Sequence, residues 1–131
     1  MTSSTKALTQ ISVANALFSL ATMLGEELDR EIPLNHLRTL FRVGMAGDVG
    51  IDQGELQRAI GLSSAGISRT VRALSRISYD KKRAGYDVVE YQRDPIDNRR
   101  RVIRLTANGK ALFEKLAARF HPQTIALLSA V

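Results

Sequence analysis

One charged turn that leads directly into an alternating segment constrains the fold of this chain more than any other feature. In the turn, residues 93–100, Asp94 and Pro95 favour a chain reversal, and Asp97-Asn98 tolerate positive φ at the tip. Residues 88–92 and 101–105 alternate on either side, as strands with one buried face do. The sequence therefore predicts an antiparallel hairpin, with Ile103 and Leu105 facing the core.

The net charge of the chain is confined to one region. Residues 69–104 hold eleven basic and five acidic side chains, which accounts for the whole net charge of +6. Four of the arginines lie within residues 99–104, and guanidinium groups suit phosphates and narrow minor grooves. Such a footprint indicates one face that meets a nucleic acid. A solvated basic surface that binds nothing specific is the alternative.

Length and composition exclude several classes of protein. A chain of 131 residues with 44% hydrophobic and 24% charged residues is typical of a single globular domain. No run of 18 apolar residues occurs, and residues 1–6 lack the features of a signal peptide, so we expect a cytoplasmic protein without a membrane partner. The absence of cysteine excludes disulfides, thiolate nucleophiles and cysteine-ligated zinc. We expect no cofactor.

Residues 5–30 predict a long N-terminal helix. Its apolar residues follow a three-four spacing that includes Leu8, Ile11, Leu17 and Phe18, and further apolar residues lie outside that stripe. One small core would not cover so wide an apolar surface. The pattern therefore indicates a partner helix from another subunit.

The middle of the chain predicts a helix-turn-helix. A second helix starts near Pro33, a third ends at Gly61, and Ser63 or Ser64 caps a fourth helix over residues 64–77. Small residues fill the first turn of that helix, and three arginines follow on its polar side. Serine hydroxyls can meet phosphates or bases, and arginine can bond guanine in bidentate fashion. The alternative is a simple helix cap followed by a solvated face.

A last helix is predicted over residues 106–131, with Thr106 as its cap. Pro122 interrupts it or starts a separate short helix. Its apolar residues include Leu116, Phe120, Leu127 and Leu128.

Three motifs resemble those of the MarR family of winged-helix transcriptional regulators. They are the segment 56–74, the turn Asp94-Pro95-Ile96-Asp97-Asn98-Arg99, and the run Leu105-Thr106-Ala107-Asn108-Gly109. The resemblance implies a mainly α fold with a small β-hairpin wing. Residues 34–105 form the winged helix-turn-helix core of a single domain, 1–131, and residues 5–30 and 106–131 form dimerisation helices.

The resemblance also implies a function. We expect a homodimeric repressor that reads a pseudo-palindromic site in double-stranded DNA, with the recognition helix 64–77 in the major groove and the wing 93–101 in the minor groove. Asp97 would hold a wing arginine in position. The candidate DNA-binding residues are Ser63, Ser64, Ala65, Gly66, Ser68, Arg69, Arg72, Arg76, Lys81, Lys82, Arg93, Asp97, Arg99, Arg100 and Arg101. The candidate dimerisation residues are Leu8, Ile11, Leu17, Phe18, Leu116, Phe120, Leu127 and Leu128.

Other functions are less well supported by the sequence. No phosphate-binding glycine loop or nucleophile and base set indicates an enzyme. His36 and His121, the two histidines, are far apart and indicate no metal site. Many family members respond to a small aromatic acid, but no pattern here indicates such an effector site. A winged helix that binds another protein, such as a replication accessory factor with weak non-specific DNA binding, remains an alternative.

Overall fold

The computed structural model describes residues 3–76, 85–94, 96–97 and 99–119, and their fold is mainly α with a small antiparallel sheet. The predicted fold class is confirmed. The chain divides into two compact units, one with residues 3–31 and 114–119 and the other with residues 32–113. In chain order the elements are α1 (Ser3–Glu27), α2 (Leu34–Met45), a 3-10 turn (Gly47–Val49), β1 (Ile51–Asp52), α3 (Gln53–Ile60), α4 (Ser64–Leu74), β2 (Val89–Arg93), β3 (Arg101–Leu105) and α5 (Ala107–Arg119).

The helix-turn-helix, α3 and α4, is fixed by capping interactions at short range. The Asp52 carboxylate accepts the first free N–H groups of α3, from Gly54 at 3.1 Å and Glu55 at 3.4 Å. The helix ends at Gly61, whose φ of 83° lies in the left-handed region that glycine favours. Ser63 then caps α4 by accepting the Gly66 N–H at 3.0 Å. The predicted caps at both helix boundaries are confirmed.

The recognition helix ends earlier than predicted, at Leu74 instead of residue 77. The N–H and hydroxyl of Ser75 both donate to the carbonyl of Arg72, at 3.1 and 2.8 Å, and the Ser75 backbone turns to an extended conformation. This local competition for a helical carbonyl ends the helix. Arg76 therefore lies just beyond α4 instead of within it.

The sheet has three strands in the order β1-β3-β2, all antiparallel. The hairpin of β2 and β3 was predicted, whereas β1 was not, because two residues are too short to show a period. Ile103 is the central residue, paired with Ile51 on one side and Tyr91 on the other. Ile103 and Leu105 are buried, as the alternation predicted.

The core of the second unit lies where α2, α3 and α4 pack together against the sheet. The hydroxyls of its two buried threonines are both hydrogen-bonded, since Thr39 donates to the carbonyl of Asn35 at 2.7 Å and Thr70 to that of Gly66 at 2.9 Å. The apolar residues of this core are Leu40, Val43, Ile51, Leu56, Ile60, Ile67, Val71, Leu74, Val88, Val89, Ile103, Leu105 and Leu112.

The junction between β3 and α5 is held against the entry to β2. The Thr106 hydroxyl donates to the carbonyl of Asp87 at 2.6 Å and accepts the N–H of Gly109 at 3.1 Å. The N–H of Thr106 donates to the carbonyl of Val88 at 3.1 Å. A Cβ on Gly109 would overlap that same carbonyl. The Leu-Thr-x-x-Gly motif thus packs the start of α5 closely against the residues that lead into β2.

Helix α1, in the first unit, exposes much of its apolar surface. Leu8, Ile11 and Phe18 are 64%, 64% and 72% exposed, and Leu17 is about half exposed. By length and composition alone, residues 6–27 could also cross a membrane, which is weak evidence because a helix covered by another chain has the same composition. The wide apolar surface predicted for this helix is confirmed.

The predicted dimerisation residues near the C-terminus are Leu116, Phe120, Leu127 and Leu128. Leu116 is buried within one chain, with 7% of its surface exposed. Its role in dimerisation stays a prediction. Phe120, Leu127 and Leu128 lie outside the described residues.

Replacement of Gly109 by alanine tests the packing at the β3–α5 junction. The new Cβ would overlap the Val88 carbonyl, and we expect Gly109→Ala to lower the free energy of unfolding by about 1–3 kcal/mol. Gly25→Ala in α1 is the matched control, because its Cβ would lie 3.4 Å from the Cα of Arg30, at ordinary contact distance. The control should gain about 0.5–1 kcal/mol in helix propensity. Urea unfolding at one protein concentration measures both, and equal stabilities would contradict the close packing.

Candidate nucleic-acid interface

The first turns of α4 present small side chains and one arginine to solvent. Ser64, Ala65 and Arg69 are exposed, and Ser68 is half-buried. Gly66 lies against the cap, since a Cβ there would stand 3.2 Å from Ser63 Oγ. Because α4 is buried on its opposite face through Ile67 and its neighbours, this small-residue surface can approach a partner closely without disturbing the core.

A groove of about 960 Å³ separates α4 from the inner face of the hairpin. Arg72 and Arg76 line it from the α4 side, and Arg93 and Arg101 from the strands. No ion pair involves any of these four within the described part of the chain. The groove therefore brings together cations from two separate elements of the fold.

The two acidic residues that line the groove are already engaged. Glu90 pairs with Arg104 at 3.0 Å, and Asp87 accepts a hydrogen bond from Asn108 Nδ2 at 2.9 Å. Arg101 keeps its charge and lies over the Tyr91 ring, 5.2 Å from the centroid. The charge that the groove offers to a ligand is consequently positive.

Short-range hydrogen bonds shape the tip of the hairpin. The N–H of Asp94 donates to the carbonyl of Arg100 at 3.0 Å, and the N–H of Arg100 donates to that of Asp97 at 3.0 Å. The carboxylate of Asp94 accepts the Ile96 N–H at 2.9 Å, and that of Asp97 accepts the Arg99 N–H at 3.0 Å. The acids therefore fold the tip, while Ile96 and Arg99 project into solvent.

An ion pair connects the hairpin to the helix-turn-helix. Arg100 Nε lies 3.4 Å from Asp52 Oδ1, while Oδ2 of the same carboxylate caps α3. Asp97 contacts a wing arginine through the backbone, because its carboxylate accepts the N–H of Arg99. The guanidinium group of Arg100 pairs with Asp52. Arg99 is left without an acidic partner among the residues described.

Solved structures with the same arrangement of elements were found. A S. aureus MepR mutant bound to an oligodeoxyribonucleotide matches over 100% of this chain and 86% of its own, with a TM-score of 0.63 and 20% identity. The chain therefore shares the winged-helix fold of these structures. A S. aureus MepR–DNA complex matches over 77% of this chain and 75% of its own, with a TM-score of 0.59 and 20% identity. The PcaV transcriptional regulator from Streptomyces coelicolor matches over 90% and 79%, with a TM-score of 0.52 and 20% identity.

The sequence comparisons add no further relative. No protein-family model matches the chain, and no curated protein matches it significantly. At about 20% identity, the structural likeness establishes the winged-helix fold alone.

Most of the predicted interface residues lie on two parts of the winged helix. The α4 group holds Ser63, Ser64, Ala65, Gly66, Ser68, Arg69, Arg72 and, just past its end, Arg76. The wing group holds Arg93, Asp97, Arg99, Arg100 and Arg101. Lys81 and Lys82 lie outside the described residues. Their contact with DNA stays a prediction, as it does for the other residues.

Sequence reasoning missed two residues of this site. Asp52 pairs with Arg100, which lies 48 positions further along the chain, and no local pattern reveals such a contact. Ile96 carries a signal in the sequence, because it is an aliphatic residue between turn formers. The roles of Asp52 and Ile96 can be recognised only once the position of the wing in the fold is known.

Two groups in the winged helix have shifted pKa values. Burial lowers the pKa of His36, whose Nδ1 is buried without a hydrogen-bond partner. The hydrogen bond from Lys110 Nζ, 2.7 Å away, lowers the pKa of the exposed Asp48 carboxyl, and the charge of Lys110 adds to this. Among the described residues, no three His, Cys, Asp or Glu side chains come together as a metal site.

Two substitutions of Asp52 separate its two contacts. Asp52→Asn keeps an oxygen that can cap α3 and loses only a partly exposed ion pair, so we expect a loss below about 1 kcal/mol. Asp52→Ala also removes the cap and should cost about 1 kcal/mol more. Urea unfolding of the two variants measures the difference, and equal stabilities would show that the cap contributes nothing.

Proposed function

We propose that this protein is a sequence-specific, double-stranded DNA-binding transcriptional regulator that acts as a homodimeric repressor. The observation that carries the proposal is the groove between α4 and the wing, where guanidinium groups from both elements face the same space and have no ion pair among the described residues. The acids beside them are held by other partners. Such a groove matches one phosphodiester strand, which separates the major groove from the minor groove.

On this proposal α4 lies in the major groove. Ser64 and Ala65 offer little bulk, so the helix can approach the base edges, and Arg69 one turn later can reach guanine O6 and N7. The hydroxyl of Ser63 serves as the cap and can still donate to a phosphate. Arg72 and Arg76 supply phosphate contacts from the groove side.

The wing lies in the adjacent minor groove. Arg99 is exposed and without an acidic partner in the described structure, whereas Arg100 is held by Asp52. Arg99 is therefore the better candidate of the two for insertion, because no ion pair has to break first. A narrow groove increases the negative potential that attracts it.

Dimerisation would use the apolar surface of α1. Four large apolar side chains stand exposed on this helix, which is more than a solvated helix normally carries. A second α1 packed on this surface would place two winged helices about one turn of DNA apart. A pseudo-palindromic operator follows from that two-fold symmetry.

The structural neighbours support DNA binding over the alternatives. Two of the three compared structures contain DNA together with the same fold. A protein-interaction or replication accessory role would leave the unpaired arginines of the groove unexplained. We propose no catalytic activity, cofactor or effector, and we propose a cytoplasmic location, where such a regulator meets its DNA.

The test of this function is selection of duplexes from a random library by the purified chain at physiological salt. We expect enrichment of a two-fold symmetric motif with half-sites about one helical turn apart. Salt-sensitive binding without enrichment would refute the proposal and favour the accessory role.

Arg69→Ala tests base reading by α4. On the selected duplex, this variant should lose about 1–3 kcal/mol of discrimination at one or two base pairs of each half-site, since a bidentate contact to guanine disappears. The matched control is Lys110→Ala, which removes one positive charge already paired with Asp48. Fluorescence anisotropy on single-pair variants measures both. An equal loss on selected and random duplexes would show that Arg69 contacts only phosphate.

Phe18→Glu tests the proposed dimer surface. A carboxylate in an apolar interface is costly, so we expect the dimer dissociation constant to rise by at least the equivalent of about 2 kcal/mol. Val49→Glu is the matched control, because Val49 is also exposed but lies outside α1. Sedimentation equilibrium measures the constants. Identical behaviour of the two variants and the wild type would place the interface elsewhere.

A further inference from the structure

We infer that Ile96, at the tip of the wing, is a specificity-determining residue that selects A·T pairs by rejecting the 2-amino group of guanine in the minor groove. The inference rests on the proposed DNA-binding function and deepens it. It assigns to the wing a direct reading of the bases, apart from any electrostatic attraction of its arginines.

The first observation is that the Ile96 side chain is not part of the hydrophobic core. Ile96 is 96% exposed, although it is as apolar as the buried residues of the core. Turn tips usually carry polar residues or glycine, which hydrogen-bond locally or permit the turn. Contact with a partner would remove this apolar surface from water, which is favourable.

The second observation is that hydrogen bonds form at the backbone of this residue and around it. The Ile96 N–H donates to the Asp94 carboxylate at 2.9 Å, and the Asp94 N–H donates to the carbonyl of Arg100 at 3.0 Å. Backbone bonds that exist before binding reduce the conformational entropy that is lost when the tip enters a groove. Proteins that bind the minor groove also insert apolar side chains into it.

The third observation is the charge around the tip. The carboxylates of Asp94 and Asp97 each accept backbone N–H groups, from Ile96 and Arg99 respectively, which offsets part of their repulsion from phosphate. Arg99 stands exposed beside them. The tip thus combines one apolar side chain with one cation, a pair that fits between the two sugar-phosphate walls of a minor groove.

The chemical groups on the floor of the DNA minor groove determine which base pairs Ile96 and Arg99 favour. The floor of the minor groove offers acceptors at every base pair, and only G·C adds an amino donor there. An isoleucine pressed against that amino group would remove its water and give no hydrogen bond in return, which is unfavourable. Arg99 responds to groove width through electrostatics, which salt weakens. The contact of Ile96 is steric and apolar and does not depend on salt.

The experiment uses the full chain and the tightest duplex from the library selection. Each A·T pair in turn is replaced by 2,6-diaminopurine·T, which adds a minor-groove amino group and leaves the major-groove edge unchanged. At one or two pairs outside the major-groove contacts, we expect wild-type affinity to fall roughly tenfold. Ile96→Ala should reduce that penalty to about threefold or less, and Ile96→Leu should retain it. Since the side chain is almost fully exposed, both variants should remain folded.

Arg99→Ala is the matched comparison on the same wing. It should retain the amino penalty and reduce the slope of log affinity against log salt by about one unit. A tenfold penalty that persists in Ile96→Ala, or wild-type binding that is indifferent to the amino group at every position, would overturn the inference and leave the proposed function standing. A library without any enriched sequence would overturn the proposed function itself, and the inference with it.

Discussion

The packing of α4 against the hairpin depends on the main chain of Val88. Its N–H donates to the carbonyl of Leu74 at 2.8 Å, and its carbonyl accepts the N–H of Thr106 at 3.1 Å. Leu74 is the last residue of α4, and Thr106 follows β3. The two peptide groups that flank the buried Val88 side chain thus hold α4 in place relative to the hairpin. The close approach of Gly109 to the same carbonyl excludes any side chain from this point.

The ion pairs of the winged helix affect its charge distribution more than its stability. The ion pairs Arg42–Glu55, Arg104–Glu90 and Lys110–Asp48 are partly exposed, so each contributes little to stability. Their consequence is a sorting of charge, because these three acids are paired, whereas the arginines that line the groove have no ion pair among the described residues. A surface sorted in this way attracts a polyanion at long range before any specific contact forms.

Local signals in the sequence predicted much of this fold. The period of two at residues 101–105, the left-handed Gly61 and the capping Ser63 each act within a few residues, so the hairpin and the helix-turn-helix could be predicted. The short strand β1 and the end of α4 at Leu74 could not, since one depends on pairing with a distant strand and the other on a single hydroxyl. For the site, the sequence identified the arginines but not their partners. Asp52 finds Arg100 only after the fold has formed.

Among the described residues, the caps and main-chain bonds that hold the winged helix do not use the side chains of Ser64, Ala65, Arg69 and Ile96. Ser64, Ala65 and Arg69 on α4, and Ile96 on the wing, are exposed and carry no part of the core. Substitution at such positions usually changes stability little. Descendants of this chain could therefore exchange these residues one at a time without passing through an unfolded intermediate, and on the proposed function each exchange would alter the preferred DNA sequence.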